Sequence, residues 1–340
     1  MTLPIPVTLI TGFLGSGKTT LLNHLLNTEL NQRLIVIENE VGELGIDHAL
    51  INLTQDRVFE LNDGCICCAV SHELINTFEH IIQLDQAVDH VFIEASGLAE
   101  PAPVLRALEN SRIAQNFILN GVVTVTDALH LKHSLAESQT CLEQIAWADL
   151  ILLNKIERCA EQVRSELELH LRDLNPLADL IQTDYAQVEL SKIFDLRRQR
   201  LEVEPELDDS SELERGSDLG ASAPSRASTA NTRSPISDTH HHDAQIKSMA
   251  FEVKGEINID LFDRWLGYLT RAKGLLRVKG ILAPRGHARR FIFHGVRCEV
   301  EVKPDRLWGD ESRYNRVVFI GRDLDPKMIH AGFAGCLYES

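Results

Sequence analysis

The 340-residue chain has no apolar run approaching the ~20 residues that a membrane helix requires. Its opening residues lack a basic stretch, an apolar core and a small-residue cleavage site. The expectation is therefore a cytoplasmic protein without membrane contact. Positive charge is also scarce: Lys and Arg number 34 against 50 Asp and Glu, a net of −16. General nucleic-acid binding needs a cationic surface, so that class is excluded. Residues 201–245 contain no Phe, Trp or Tyr, and Ser, Ala, Asp and Glu dominate them. Such a stretch cannot bury enough apolar surface to offset the entropy of ordering, and it reads as a disordered linker. Cysteines number seven, too few and too scattered for a disulfide framework in a reducing compartment. Cys141, Cys159, Cys298 and Cys336 read as small buried hydrophobes or idle thiols.

The remaining sequence divides into two parts. Residues 1–200 alternate short apolar runs with amphipathic stretches, which predicts an α/β domain with a mainly parallel sheet. Strands are expected at 7–11, 34–38, 58–61, 90–94, 121–125, 149–153 and 180–182. Helices are expected to begin at Lys18 and near Ala69, Pro101, Ser138 and Ala160. Residues 246–340 predict a smaller α+β domain, with strands at 249–253, 275–282, 290–293, 298–302 and 316–320 and helices at 259–269 and 326–334. This second part carries 17 Lys and Arg against 12 Asp and Glu, whereas the remainder is strongly acidic. That asymmetry either favours contact between the two parts or is left in solvent.

Gly12-Phe13-Leu14-Gly15-Ser16-Gly17-Lys18-Thr19 fits the phosphate-loop pattern at every fixed position, between an expected strand and an expected helix. Its glycines allow the backbone N–H groups to face a β-phosphate at a helix N-terminus. Gly12, Gly15, Ser16, Gly17 and Thr20 are assigned to nucleotide binding, Lys18 to the β- and γ-phosphates, and the Thr19 hydroxyl to Mg²⁺. Glu94, at the end of a later apolar run, is expected to orient Mg²⁺ through water or to polarise the nucleophile; the plainer alternative is a strand cap. The Gly97 N–H is expected to sense the γ-phosphate, so Lys18, Thr19, Glu94 and Gly97 form the expected catalytic set. Asn154-Lys155-Ile156-Glu157 is close to the Asn-Lys-x-Asp signature that reads guanine, with Glu157 one methylene longer than the usual Asp.

Cys65, Cys67 and Cys68 offer three thiolates within four positions, suited to Zn²⁺ or another soft or borderline ion, with redox or idle-thiol roles as alternatives. Glu38 or Glu43 is expected to complete the shell, in an acidic segment placed where phosphate-loop proteins put a nucleotide-sensing switch. His240, His241 and His242 either capture metal as accessory ligands or form an exposed run without a role.

With these motifs in view, the chain resembles the CobW-type GTPases, the CobW/HypB/UreG-like branch of metallochaperones. The resemblance rests on Pro6-Val7-Thr8 leading into Gly12–Thr20, the Glu38–Glu43 segment with Gly45-Ile46-Asp47, and Gly64-Cys65-Ile66-Cys67-Cys68. It continues through Glu94-Ala95-Ser96-Gly97 with Glu100-Pro101, Asn154-Lys155, Lys273-Gly274, Phe319-Ile320-Gly321-Arg322 and Cys336-Leu337. It implies GTP hydrolysis coupled to delivery of Zn²⁺, Co²⁺ or a related ion to a metalloprotein client, with the three clustered cysteines as the metal motif. Homo-oligomer formation stays open. The competing readings are a metal sensor or storage protein without turnover and a phosphate-loop kinase of a small molecule.

Overall fold

The computed structural model describes residues 3–27, 32–39, 58–60, 69–84, 87–197, 246–271, 274–296 and 299–338. The first sheet comprises β1 (Ile5–Thr11), β2 (Leu34–Asn39), β3 (Val58–Glu60), β4 (His90–Ala95), β5 (Phe117–Asp127), β6 (Leu150–Asn154) and β7 (Asp179–Gln182), in the order β3-β2-β4-β1-β5-β6-β7. Every pairing in it is parallel. A parallel sheet needs cover on both faces, which is why its strands read as unbroken apolar runs. Val7 and Leu9 face one core with Phe78, Leu105 and Trp147; Ile10 faces the other with Leu21, Leu25 and Val123.

The helices of this half are α1 (Lys18–Asn27), α2 (Ala69–Ile82), α3 (Ala102–Leu108), α4 (Leu131–Glu137), α5 (Gln139–Trp147), α6 (Glu161–Leu174) and α7 (Ser191–Phe194). The chain leaves β1 for β2 on one side and returns through β4 to β5 on the other. β1 therefore sits at the crevice where open α/β sheets bind ligands.

The second half forms β8 (Ile246–Lys254), α8 (Ile259–Arg271), β9 (Leu275–Leu282), β10 (Arg289–Val296), β11 (Glu299–Leu307), β12 (Tyr314–Arg322) and α9 (Pro326–Ala334). Its antiparallel sheet runs β11-β10-β9-β12-β8. One face buries Phe251, Val278, Phe293 and Phe319 against Phe262, Leu266, Ile329 and Phe333 of α8 and α9. From the other, Val296 and Ile320 join Trp147 of the first half in one continuous apolar cluster.

Several elements run longer than expected. β5 begins at Phe117, four residues before the expected start at Gly121, because Asn120 and the residues before it are strand residues here. The buried Asn120 amide donates to Thr8 Oγ1 at 2.9 Å and to the Ile193 carbonyl at 2.7 Å. Gly121 leaves space for Leu196 and the Asp149 carboxylate. β10 and β11 extend to Val296 and Leu307, and Pro304 is accommodated because β11 is an edge strand. The short helices α4 and α7 are additional to the expected set. Residues 201–245, expected as a linker, lie outside the described residues, as do Cys65, Cys67, Cys68, Glu43, Cys298 and His240, His241 and His242.

Candidate nucleotide site

The loop between β1 and α1 is shaped by backbone that side-chain-bearing residues avoid. Gly12, Gly15 and Gly17 take φ of 138°, 70° and 113°. A Cβ on Gly17 would lie 2.5 Å from Asn154 Nδ2, so the end of β6 presses directly on the phosphate loop. Ser16 is buried, and its Oγ has no hydrogen-bond partner among the described residues. Lys18 is buried too, with Nζ donating to the Gly12 carbonyl at 3.1 Å across the loop. A glycine cradle, an orphaned buried hydroxyl and a buried ammonium fit a polyphosphate chain. Thr20 follows on the exposed side of α1.

Thr19 Oγ1 donates to Glu94 Oε1 at 3.2 Å. This joins the first turn of α1 to the C-terminal end of β4, and the two oxygens are a donor set suited to Mg²⁺. Glu38 is buried at the end of β2 and pairs in register with Glu94 on one side and Glu60 on the other. The sheet edge therefore carries three acidic positions abreast. Gly97 lies against the phosphate loop: a Cβ there would meet the Leu14 nitrogen at 2.7 Å. No other residue type fits that approach without moving the loop.

The Asn154 side chain, 2% exposed, donates to the Ser16 carbonyl at 2.9 Å and accepts from the Ala186 N–H at 2.9 Å. One amide thus locks the phosphate loop to the loop after β7, where Tyr185 and Ala186 hold left-handed φ of 54° and 53°. Lys155, itself at φ 65°, lays Nζ over the loop, 2.7 Å from the Gly15 carbonyl and 2.7 Å from Asp127 Oδ2. Glu157 is not drawn in with them. Its carboxylate is about a third exposed and sits 3.3 Å from Arg158 Nε, while its N–H donates to Asp184 Oδ1 at 2.9 Å. Hydrogen bonding from the Glu157 side chain, then from the Glu157 and Ile156 backbone, holds the Asp184 carboxyl below the ordinary aspartate range.

Sequence reasoning missed Asp127, Asp184 and Gln144, all of which touch the site. Asp127 carried a signal, since it ends β5 as Glu94 and Asn154 end or nearly end their strands. Gln144 carried none, because it comes from mid-helix. A cavity of about 220 Å³ beside the loop is lined by Phe13, Leu14, Asp127, His130, Cys141 and Gln144 among others. Among the described residues no group of three metal-ligating side chains forms a metal site. No described helix is long and apolar enough to cross a membrane.

Comparison with known proteins agrees with this geometry. The nucleotide-binding domain of the CobW/HypB/UreG family matches residues 6–182, and the cobalamin synthesis protein cobW C-terminal domain matches residues 246–337. The chain is 32% identical to the zinc chaperone YjiA of Escherichia coli, covering 98% of both proteins. It is 28% identical to the zinc-regulated GTPase metalloprotein activator 1 of Schizosaccharomyces pombe, over 94% of this chain and 83% of that protein. The crystal structure of the Zn(II)-bound YjiA GTPase from E. coli superposes with a TM-score of 0.70 at 27% identity, covering 99% of this chain and 100% of that one.

Proposed function

The chain belongs to the CobW/HypB/UreG family, and from that premise we propose that it is a GTP-hydrolysing metallochaperone carrying zinc or a related transition metal to a client metalloprotein. The observation that carries this reading is the Thr19–Glu94 contact beneath a glycine cradle that Asn154 ties to the end of β6. Lys18 neutralises the β- and γ-phosphates, and the loop N–H groups hold them. Thr19 would hold Mg²⁺ and Glu94 would orient it, and the ion would supply charge neutralisation at the phosphates. Glu94 alternatively polarises the attacking water, and Gly97 senses the γ-phosphate. Asn154, Lys155 and Glu157 read guanine, Glu157 by turning its carboxylate onto the ring N–H and exocyclic amine.

The metal cargo is assigned to Cys65, Cys67 and Cys68, with Glu38 or Glu43 completing the shell and His240, His241 and His242 as accessory ligands. Glu38 supports coupling between the two sites because it neighbours Glu94 on the adjacent strand. A nucleotide-driven shift of β2's end then alters the metal shell directly. The same reading puts the protein in the cytoplasm, where thiolates stay reduced and available to metal. It divides the chain into a GTPase domain (1–200), a linker (201–245) and a C-terminal domain (246–340).

Phosphate release from GTP, measured with and without Zn²⁺, tests the proposal. Turnover that responds to Zn²⁺ is expected. Lys18→Ala should abolish GTP binding and leave a weakened metal site; Cys67→Ser with Cys68→Ser should do the reverse. GTP binding without turnover would point to a sensor or storage protein. Unchanged Zn²⁺ affinity after loss of the thiols would remove the metal assignment.

A further inference from the structure

Helix α5 touches both halves of the molecule through consecutive residues. Gln144, 1% exposed, donates from Nε2 to the Gly97 carbonyl at 3.2 Å and to the Ala99 carbonyl at 3.1 Å. Its own carbonyl accepts from Thr124 Oγ1 at 2.7 Å, which pins this part of the helix to β5. Its Oε1 is buried with no hydrogen-bond partner among the described residues, a cost that a merely space-filling side chain would not carry. Glu143, one position earlier and therefore ~100° around the helix, forms an ion pair at 2.5 Å with Arg322 at the end of β12. Burial raises the Glu143 carboxyl and the Arg322 guanidinium opposes that shift, favouring the charged form. The helix end is gripped as well: Arg277 of β9 donates to the Trp147 carbonyl at 2.9 Å and to the Ala148 carbonyl. On its far side the Gly97 turn presses against Leu14 of the phosphate loop.

We propose that Gln144 is a positioning residue for the Gly97–Ala99 turn, and that α5 makes the turn's position depend on docking of the C-terminal domain through Glu143 and Arg322. The inference rests on the reading that Gly97 senses the γ-phosphate. One amide holding the carbonyls of Gly97 and Ala99, two residues apart, fixes the turn before nucleotide arrives, so the ordering cost of meeting the γ-phosphate is already met. Any movement of Gly97 toward that phosphate must stretch the Gln144 bonds or draw α5 with it. Movement of α5 displaces Glu143 from Arg322. Coupling of this kind is reciprocal: the domain contact biases nucleotide state, and nucleotide state biases the contact.

The test uses the full chain with Gln144→Met, which keeps size and removes the donors, and with Arg322→Ala and Arg322→Lys. Arg322 is about a third exposed, so its variants are expected to fold even if Gln144→Met does not. Displacement of a fluorescent GDP gives affinities for GDP and for a nonhydrolysable GTP analogue, and phosphate release gives kcat and KM. Gln144→Met should lower kcat and the analogue-over-GDP affinity ratio ~10-fold while GDP affinity holds. Arg322→Ala should lower the same ratio by less, Arg322→Lys should restore part of it, and Gln144→Met with Arg322→Ala should be no worse than Gln144→Met alone. A lower melting temperature with an unchanged ratio would make Gln144 merely structural and overturn the proposal. Full additivity of the two changes would overturn the route through α5. Failure of the underlying reading has a different signature: the unaltered chain itself would bind analogue and GDP alike and release no phosphate.

Discussion

At the scale of single residues, the site separates groups whose position is dictated locally from groups placed by distant chain. Lys18 and Thr19 stand where the phosphate-loop spacing puts them, because that spacing is a backbone geometry as much as a sequence. Glu157 differs: Arg158 holds its carboxylate, while its N–H donates to Asp184, which arrives from the loop after β7. If the carboxylate reads guanine, GTP should outcompete ATP by ~10²-fold, and Glu157→Ala should erase the preference. Glu157→Gln should instead favour XTP over GTP, because an amide offers the donor that the xanthine 2-carbonyl requires. Competition against fluorescent GDP measures both, and equal displacement by ATP in the unaltered chain would remove the assignment. A second residue with a measurable signature is His90, buried beside Phe92 and Phe194 with Nε2 2.7 Å from Thr8 Oγ1. Burial lowers its pKa from 6.5 to about 3. Neutral His90 therefore contributes stability that is complete above pH 6.5 and is lost as pH falls toward 3, roughly 4–5 kcal/mol in total. Urea melts from pH 7 to pH 4 should show His90→Phe with a shallower acid slope than the unaltered chain; parallel slopes would contradict the burial argument.

At the scale of elements, sequence patterning located the strands whose apolar runs are unbroken and the helices whose apolar stripe is continuous. β1, β4, β6 and β9 fall within two residues of expectation because both faces of each are covered, so even polar residues such as Thr8, His90 and Arg277 are buried in them. The expected β5 started at Gly121 and left Asn120 outside it. Their real partners, Thr8, Ile193, Leu196 and Asp149, are distant in sequence, so nothing local distinguishes a turn asparagine from one satisfied across a core. The candidate site was legible to the same extent. Its phosphate-binding half is one contiguous segment; the parts that steady it come from β5, α5 and the loop after β7. Asp127 holding Lys155 and Gln144 holding the Gly97 turn are long-range contacts between residues ordinary in their own segments.

At the scale of the whole molecule, the excess of negative charge in the first half and of positive charge in the second has a structural counterpart at their junction. Arg277 and Arg322 of the second half meet Asp149 and Glu143 of the first, although Arg197 and Glu301 pair with the opposite polarity. Composition indicated the sign of the attraction; it held no information on the partners, which are 128 positions apart for Arg277 and Asp149. That pair is fully enclosed, its nitrogen and oxygen 2.5 Å apart, with Asp149 also accepting the Val122 N–H at 2.8 Å. Removing one partner of such a pair strands a charge in a medium that solvates it poorly, whereas removing both does not. Asp149→Ala should therefore destabilise the chain by about 3–5 kcal/mol, and Arg277→Met added to Asp149→Ala should cost clearly less than the sum of the single changes. Denaturant melts of the four proteins give the coupling directly. Because Asp149 immediately precedes β6 and Asn154 ends it, disruption at this junction should also weaken GDP binding, and unchanged GDP affinity in a destabilised Asp149→Ala chain would separate the domain contact from the nucleotide site.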